Sequence, residues 1–192
     1  MTPWRLFGAG GGSIGAPMNT RFLPFLILSA LVALPVAADA KKPAAAARGT
    51  PSGPKKIGEF GDWVAATHQE GGQTVCYAFT RAQTSAPALS GRGPVILTVT
   101  ERVSGRDSVA IEAGLTYAAN AAVTVQVDRT ALEFYTAGRN AFARDGKAAV
   151  AAFDKAARAI ARSPAPKEVA DTFSLKGFGD AYKAIVKACP AK

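Results

Sequence analysis

Few side chains in this chain combine the type and spacing that catalysis needs. His68 is the sole histidine of the 192 residues, set in a polar stretch, THQEGGQ, that reads as a turn. No serine or cysteine stands near it at the spacing of a nucleophile and its base, so it reads as an exposed loop histidine. Glu101 and Glu112 fall on neighbouring predicted strands and form the carboxylate pair that hydrolysis of a sugar bond would require, with one acid kept protonated in a cleft. Charges on the wet face of a sheet are the simpler account of both. Asp62, beside Trp63, reads as a strand or turn anchor. Gly10, Gly12 and Gly15 spell the G-x-G-x-x-G of a dinucleotide-binding turn, but no strand precedes them. Two cysteines and one histidine are too few soft ligands for a closed zinc site. The sequence therefore offers no catalytic residue, no cofactor-binding residue and no metal ligand, and an enzyme is not expected.

The elements that would position these residues lie between 57 and 192, and most are short β runs. Trp63 and Val64 mark the first, opened by Gly58 and Gly61. Val75, Tyr77 and Phe79 alternate with Thr74, Cys76, Ala78 and Thr80 in the second. Val95, Leu97 and Val99 alternate with Ile96, Thr98 and Thr100 in the third, and Val109 with Ile111 marks a fourth. Val123, Val125 and Val127 lead through a tight Asp128-Arg129 hairpin to Leu132 and Phe134, and AARAIARS with VADTFSL forms a last pair. Period-2 patterning of this kind suits antiparallel strands with one face buried and one wet. Phe60, Trp63, Tyr77 and Phe79 read as core. Residues 146–155 switch to helical spacing, as do 178–189, where Phe178, Tyr182, Ile185, Val186 and Cys189 form one stripe before Pro190. The expected architecture is mainly β: one antiparallel β-sandwich or open barrel of roughly six to eight strands with two short helices, one C-terminal.

The first 40 residues have a different character. Arg21 precedes an apolar run from Phe22 to Val36, and Ala38-Asp39-Ala40 fits the small-x-small pattern of signal cleavage. The segment 1–40 reads as a secretion signal, with translation expected to begin at Met18 and cleavage after Ala40. A membrane span usually needs about 20 apolar residues and no such site. Residues 41–56, KKPAAAARGTPSGPKK, read as a basic flexible linker. The formal charge of +9 is concentrated there, so residues 57–192 are close to balanced. That weighs against a nucleic-acid binder, which needs a basic face on the domain itself, although the linker suits electrostatic contact with anionic envelope components. Export also bears on the cysteines. An even count in an oxidising compartment predicts that Cys76 and Cys189 pair. The bridge would tie an early strand to the last helix, and loops of this size are worth about 4–5 kcal/mol in the chain-entropy account.

Several short motifs resemble, in order and spacing, the invasion-associated locus B family of bacterial exported proteins. They are Gly61-Asp62-Trp63, Cys76-Tyr77-Ala78-Phe79, Arg92-Gly93-Pro94-Val95, the run Asp171-Thr172-Phe173-Ser174-Leu175-Lys176-Gly177-Phe178, and Cys189-Pro190. The resemblance spans roughly residues 57–190. It implies a β-rich periplasmic or secreted domain without known catalysis, linked in some pathogens to host-cell invasion. The Asp128-Arg129 hairpin and the SPAPKE loop depart from the family's pattern.

The leading expectation is an exported, non-enzymatic interaction protein, periplasmic or secreted, that recognises a protein or an envelope polymer. It meets no nucleic acid, and meets the membrane only transiently through the signal. Two alternatives stand beside it. A small-ligand-binding β-barrel would need a large apolar cavity, and a cell-wall or sugar hydrolase would need its two carboxylates in one cleft.

Overall fold

The computed structural model describes residues 53–164 and 168–191. The segment read as a signal and most of the basic linker lie outside these residues. Lys55 and Lys56, placed at the linker's end by composition, instead open the first strand, because their backbones pair with Ala66 and Thr67. The strands are β1 (Lys55–Phe60), β2 (Trp63–Glu70), β3 (Gln73–Ala86), β4 (Ile96–Arg102), β5 (Gly105–Glu112), β6 (Ala122–Val127), β7 (Thr130–Ala137), β8 (Asn140–Ala143), β9 (Arg158–Ser163) and β10 (Val169–Ser174). The helices are α1 (Gly146–Phe153) and α2 (Phe178–Ala188). Every strand pairing is antiparallel.

Of the two expected architectures, the barrel is the one formed, and it is closed rather than open. The order β3-β10-β9-β6-β7-β8-β5-β4 returns to β3 through the β3–β4 pairing, and the β1–β2 hairpin extends the sheet beyond β3. Closure removes the edges that these eight strands would otherwise present, and leaves β1 as the sheet's outer strand. Strand β3, 14 residues long, serves three neighbours. One edge holds β4 along Cys76–Arg81. The other holds β2 as far as Phe79, and then β10 from Ala82 onward.

The changeover between β2 and β10 is where the sheet forks, and it is held by short-range polar contacts. Asp62 N–H donates to Lys176 C=O at 3.0 Å, Trp63 Nε1 donates to Ser174 C=O at 3.0 Å, and the Thr80 hydroxyl donates to Asp62 C=O at 2.7 Å. Backbones meet closely here. Gly177 has φ +88°, and a Cβ on it would stand 2.0 Å from Phe60 O; one on Gly61 would stand 2.6 Å from Lys176 O. Only glycine combines that conformation with that proximity. The motif residues Gly61, Asp62, Trp63 and Gly177 therefore meet at one junction.

Side chains fill the barrel interior. Leu97, Val99, Ile111, Val125, Phe134 and Phe173 are each at most 1% exposed, as suits an eight-stranded barrel whose bore is about as wide as its own side chains. Helix α2 covers one end with Phe178, Ala181 and Ile185. Phe178 meets Trp63 edge-on at 4.9 Å between ring centroids and Phe153 of α1 at 5.6 Å. The predicted Cys76–Cys189 disulfide is present, with Cα atoms 6.0 Å apart, and it ties the end of α2 to β3.

The core reading of β3 needs correction. Cys76, Ala78 and Thr80 point inward, whereas Tyr77 and Phe79 lie half-buried on the outer face. Trp63 and the disulfide already occupy the interior beside β3, which leaves room there for small side chains only. Trp63 itself is core as expected, and Phe60 is partly buried against the core. The Asp128-Arg129 hairpin forms, with Val127 paired to Thr130.

Gly177→Ala should lower unfolding free energy by at least about 3 kcal/mol, since it adds a backbone collision to the left-handed strain. Gly72→Ala, at a turn with φ +80° and nothing within 4 Å of a new Cβ, should cost only about 1 kcal/mol. Urea denaturation of both variants checks the difference.

Candidate functional site

The residues singled out for chemistry do not converge. His68 sits on β2 rather than in a loop; the turn is Gly71-Gly72. Its ring packs edge-on to Tyr77 at 5.4 Å, on the outer face. Glu101 and Glu112 do occupy adjacent strands, β4 and β5, but Glu112 is opposite Ile96. It thus stands five residues along β4 from Glu101, roughly 17 Å away at the usual rise per residue. The two also face opposite ways. Glu101 is fully buried, and Glu112 is exposed beside Arg139 at 4.0 Å. The expectation that both are solvent-face charges therefore fails for Glu101. Leu97, Val99 and Glu101 share one parity, so the strand's own alternation carried the signal. Asp62 acts through its backbone as a turn anchor, as expected from its place beside Trp63.

Two buried polar clusters have instead formed. In the first, Arg92 holds Asp171 with two parallel bonds of 2.8 and 2.7 Å, and their side chains are 6% and 1% exposed. The Ser85 hydroxyl donates to the same carboxylate at 2.6 Å, and Arg92 Nε donates to Ala113 C=O at 2.7 Å. Gly93 N–H reaches Gly114 C=O at 3.0 Å, which fixes the chain just before Pro94 and Val95. Burial pushes the nearby Tyr117 phenol upward in pKa. The fork-to-fork geometry is the strong form of this ion pair, and it pins the β3–β4 connection onto β10. No reacting atom can approach a pair so enclosed. Phe173 and Leu175 of the same run are core.

The second cluster surrounds Glu101. Arg106 Nε lies 2.6 Å from Glu101 Oε2, and Asp107 N–H donates to Oε1 at 3.2 Å. The Tyr182 hydroxyl of α2 donates to Asp107, and Arg106 also donates to the backbone carbonyl of Cys189. Burial raises the Glu101 pKa to about 7, opposed by Arg106 and reinforced by the Asp107 charge. A carboxyl poised near neutrality can serve as a general acid, but Glu101 has no exposed surface.

The outer face of β2, β3 and β4 is open to a partner. A groove of about 730 Å³ runs over it, floored by Ile96, Thr98 and Thr100 and walled by Tyr77 and Phe79, with Arg81 at one end and Arg102 at the other. The Tyr77 and Phe79 rings stack at 6.0 Å, and Arg102 is held by Glu70 at 2.8 Å. The backbone groups beneath are committed to sheet pairing, so this face offers side chains rather than a free strand edge. A second outward aromatic pair, Tyr135 and Phe142, stacks at 5.6 Å across β7 and β8. Among the described residues no group of acidic, histidine and cysteine side chains has the makings of a metal site.

The family described as Invasion associated locus B (IalB) protein matches residues 63–186. The chain belongs to that family. Its fold is shared with the crystal structure of invasion associated protein B from Bartonella henselae, at a TM-score of 0.51 and 19% identity, over 68% of this chain and 95% of that one. No curated protein matches. In this IalB-family chain the motif residues have structural work to do. Gly61, Asp62, Trp63, Gly177 and Phe178 build the sheet fork and its aromatic seal, while Arg92 and Asp171 build the buried pin. The aromatic groove on the outer face is hidden in the sequence, where its rings read as core.

Arg92→Ala should lower stability by about 3–5 kcal/mol, because it strands the Asp171 carboxylate without its partner. Replacing both, as Arg92→Met with Asp171→Leu, should recover part of that loss. Urea unfolding of the single and double variants checks the pair.

Proposed function

We propose that this IalB-family chain is an exported, non-enzymatic interaction protein, periplasmic or secreted, whose contact surface is the outer face of β2–β4. The observation that carries this reading is the groove itself. Two stacked aromatic rings, an isoleucine and two threonines lie partly exposed on a rigid, closed barrel, where the alternation of β3 could have buried the rings. Partly exposed aromatic side chains at the centre of a patch, with arginine at its margins, are the usual makings of a binding hot spot. The partner is a protein or an envelope polymer, and host-cell contact is the role that the family's description suggests. The intramolecular disulfide supports maturation where thiols oxidise.

The two alternatives have less in their favour. The barrel's interior is filled by its own side chains, so a small ligand would have to displace core. Glu101 and Glu112 are too far apart, and face too differently, to act as a hydrolytic pair.

A photo-crosslinking side chain at Thr98, in cells expressing the full chain, should capture a discrete adduct, whereas one at Thr124 on β6 should not. Tyr77→Ala with Phe79→Ala should remove the Thr98 adduct and weaken binding of the captured partner about tenfold or more, without loss of fold. Equal capture at both positions, or none at Thr98, would sink the assignment of this face. Fractionation of the same cells tests the location.

A further inference from the structure

Helix α2 meets the barrel through a cluster built on a buried carboxylate that is incompletely hydrogen-bonded. Glu101 is fully buried on the core face of β4. Its Oε2 is close to Arg106 Nε, yet accepts no aligned hydrogen bond. Asp107, in contact with Glu101 through its backbone N–H, is held at φ +53° and brings a second carboxylate. Arg106 is paired with Glu101 and also reaches the carbonyl of Cys189 at the end of α2, while the Asp107 carboxylate is met by Tyr182. The groups facing this cluster come from every element around it. Strand β5 supplies Arg106 and Asp107, and α2 supplies Tyr182, whose hydroxyl is bonded to Asp107. Lys183 of α2, with Lys147 of α1 and Asp154 just after it, lines the cleft of about 400 Å³ beside Asp107 and Tyr182. From β3 the neighbour is Cys76, paired with Glu101 across the strands and joined to Cys189.

We propose that α2 is a pH-responsive cap on the barrel, clasped by Glu101, Arg106, Asp107 and Tyr182 and loosened when both carboxylates are charged. Two of the four clasp contacts, Tyr182 to Asp107 and Arg106 to the Cys189 carbonyl, cross directly from the barrel to the helix. A charge on Glu101 is buried beside Asp107 with no aligned donor to Oε2, and opening of α2 relieves it by letting solvent reach the carboxylate. The disulfide keeps the loosened helix attached, so opening uncovers the Trp63–Phe153–Phe178 aromatic cluster without release of the chain end. This inference does not depend on the proposed contact surface, which lies on the other face of the sheet.

The sign is set by Glu101. Its ordinary pKa of 4.5 is raised in the fold to about 7, chiefly by burial, so the docked state holds an extra proton between those values. Docking is then strongest at low pH, weakens as pH rises through neutrality, and levels off above it.

Hydrogen exchange of α2 in the full chain, corrected for the intrinsic pH dependence of exchange, tests this. Opening should be about tenfold more frequent near pH 8.5 than near pH 6. Glu101→Gln should abolish that difference. Asp107→Asn keeps an acceptor for Tyr182 and a residue tolerant of the left-handed backbone, and should move the rise to lower pH by removing the like charge. A wild-type profile with no rise, a Glu101→Gln variant that keeps it, or an Asp107→Asn profile that does not move would each overturn the proposal. The last of these is decisive even if Glu101→Gln fails to fold.

Discussion

Strand β3 can hold three neighbours only because two of them share one edge end to end, and that sharing demands a place where β2 stops and β10 begins. At the changeover the polypeptides of Phe60–Trp63 and Ser174–Gly177 run past each other at backbone contact distance. Without side chains at Gly61 and Gly177, the hydrogen bonds from Asp62 and Trp63 can form. With side chains there, the β1–β2 hairpin could not dock and Trp63 would lose its place in the core. The position of Trp63 in turn constrains its neighbours. It fills the interior beside β3, turns the aromatic side chains of β3 outward, and gives Phe178 the surface on which α2 seats.

Buried charge is used in two different ways around this framework. The Arg92–Asp171 pair is completed by further hydrogen bonds from Ser85 and to Ala113, so most of what desolvation costs is offset locally. It behaves as a rivet. The Glu101 cluster is not completed, since one oxygen of the buried carboxylate lacks an aligned donor. A group in that condition relieves its strain by taking up a proton, and the same cluster happens to grip α2. Rigidity at one end of the barrel and adjustability at the other thus arise from one difference, whether the buried carboxylate is fully hydrogen-bonded.

The short motifs by which the sequence resembles its family fall mostly in the fork and the rivet. The outer groove owes little to them beyond Tyr77 and Phe79.

Much of the fold was legible from local pattern. Period-2 runs located eight of the strands, helical stripes located α1 and α2, and two cysteines in a chain read as exported announced their bond. Strands β1 and β8 left no such trace. KKIGEF is charged and lies at a sheet edge, and NAFA is only four residues long, made a strand by β5 and β7 on either side. Glu101 was legible in principle, because Leu97 and Val99 share its parity, yet a charge after two apolar residues reads as a strand leaving the core. Alternation along β3 says that Tyr77 and Phe79 lie on the same face as each other. It does not say which face is the inside. That is decided by contacts distant in sequence, namely the Cys189 sulfur, the Trp63 ring and the β3–β4 pairing that closes the barrel, and the volume they leave is what sends the two rings outward.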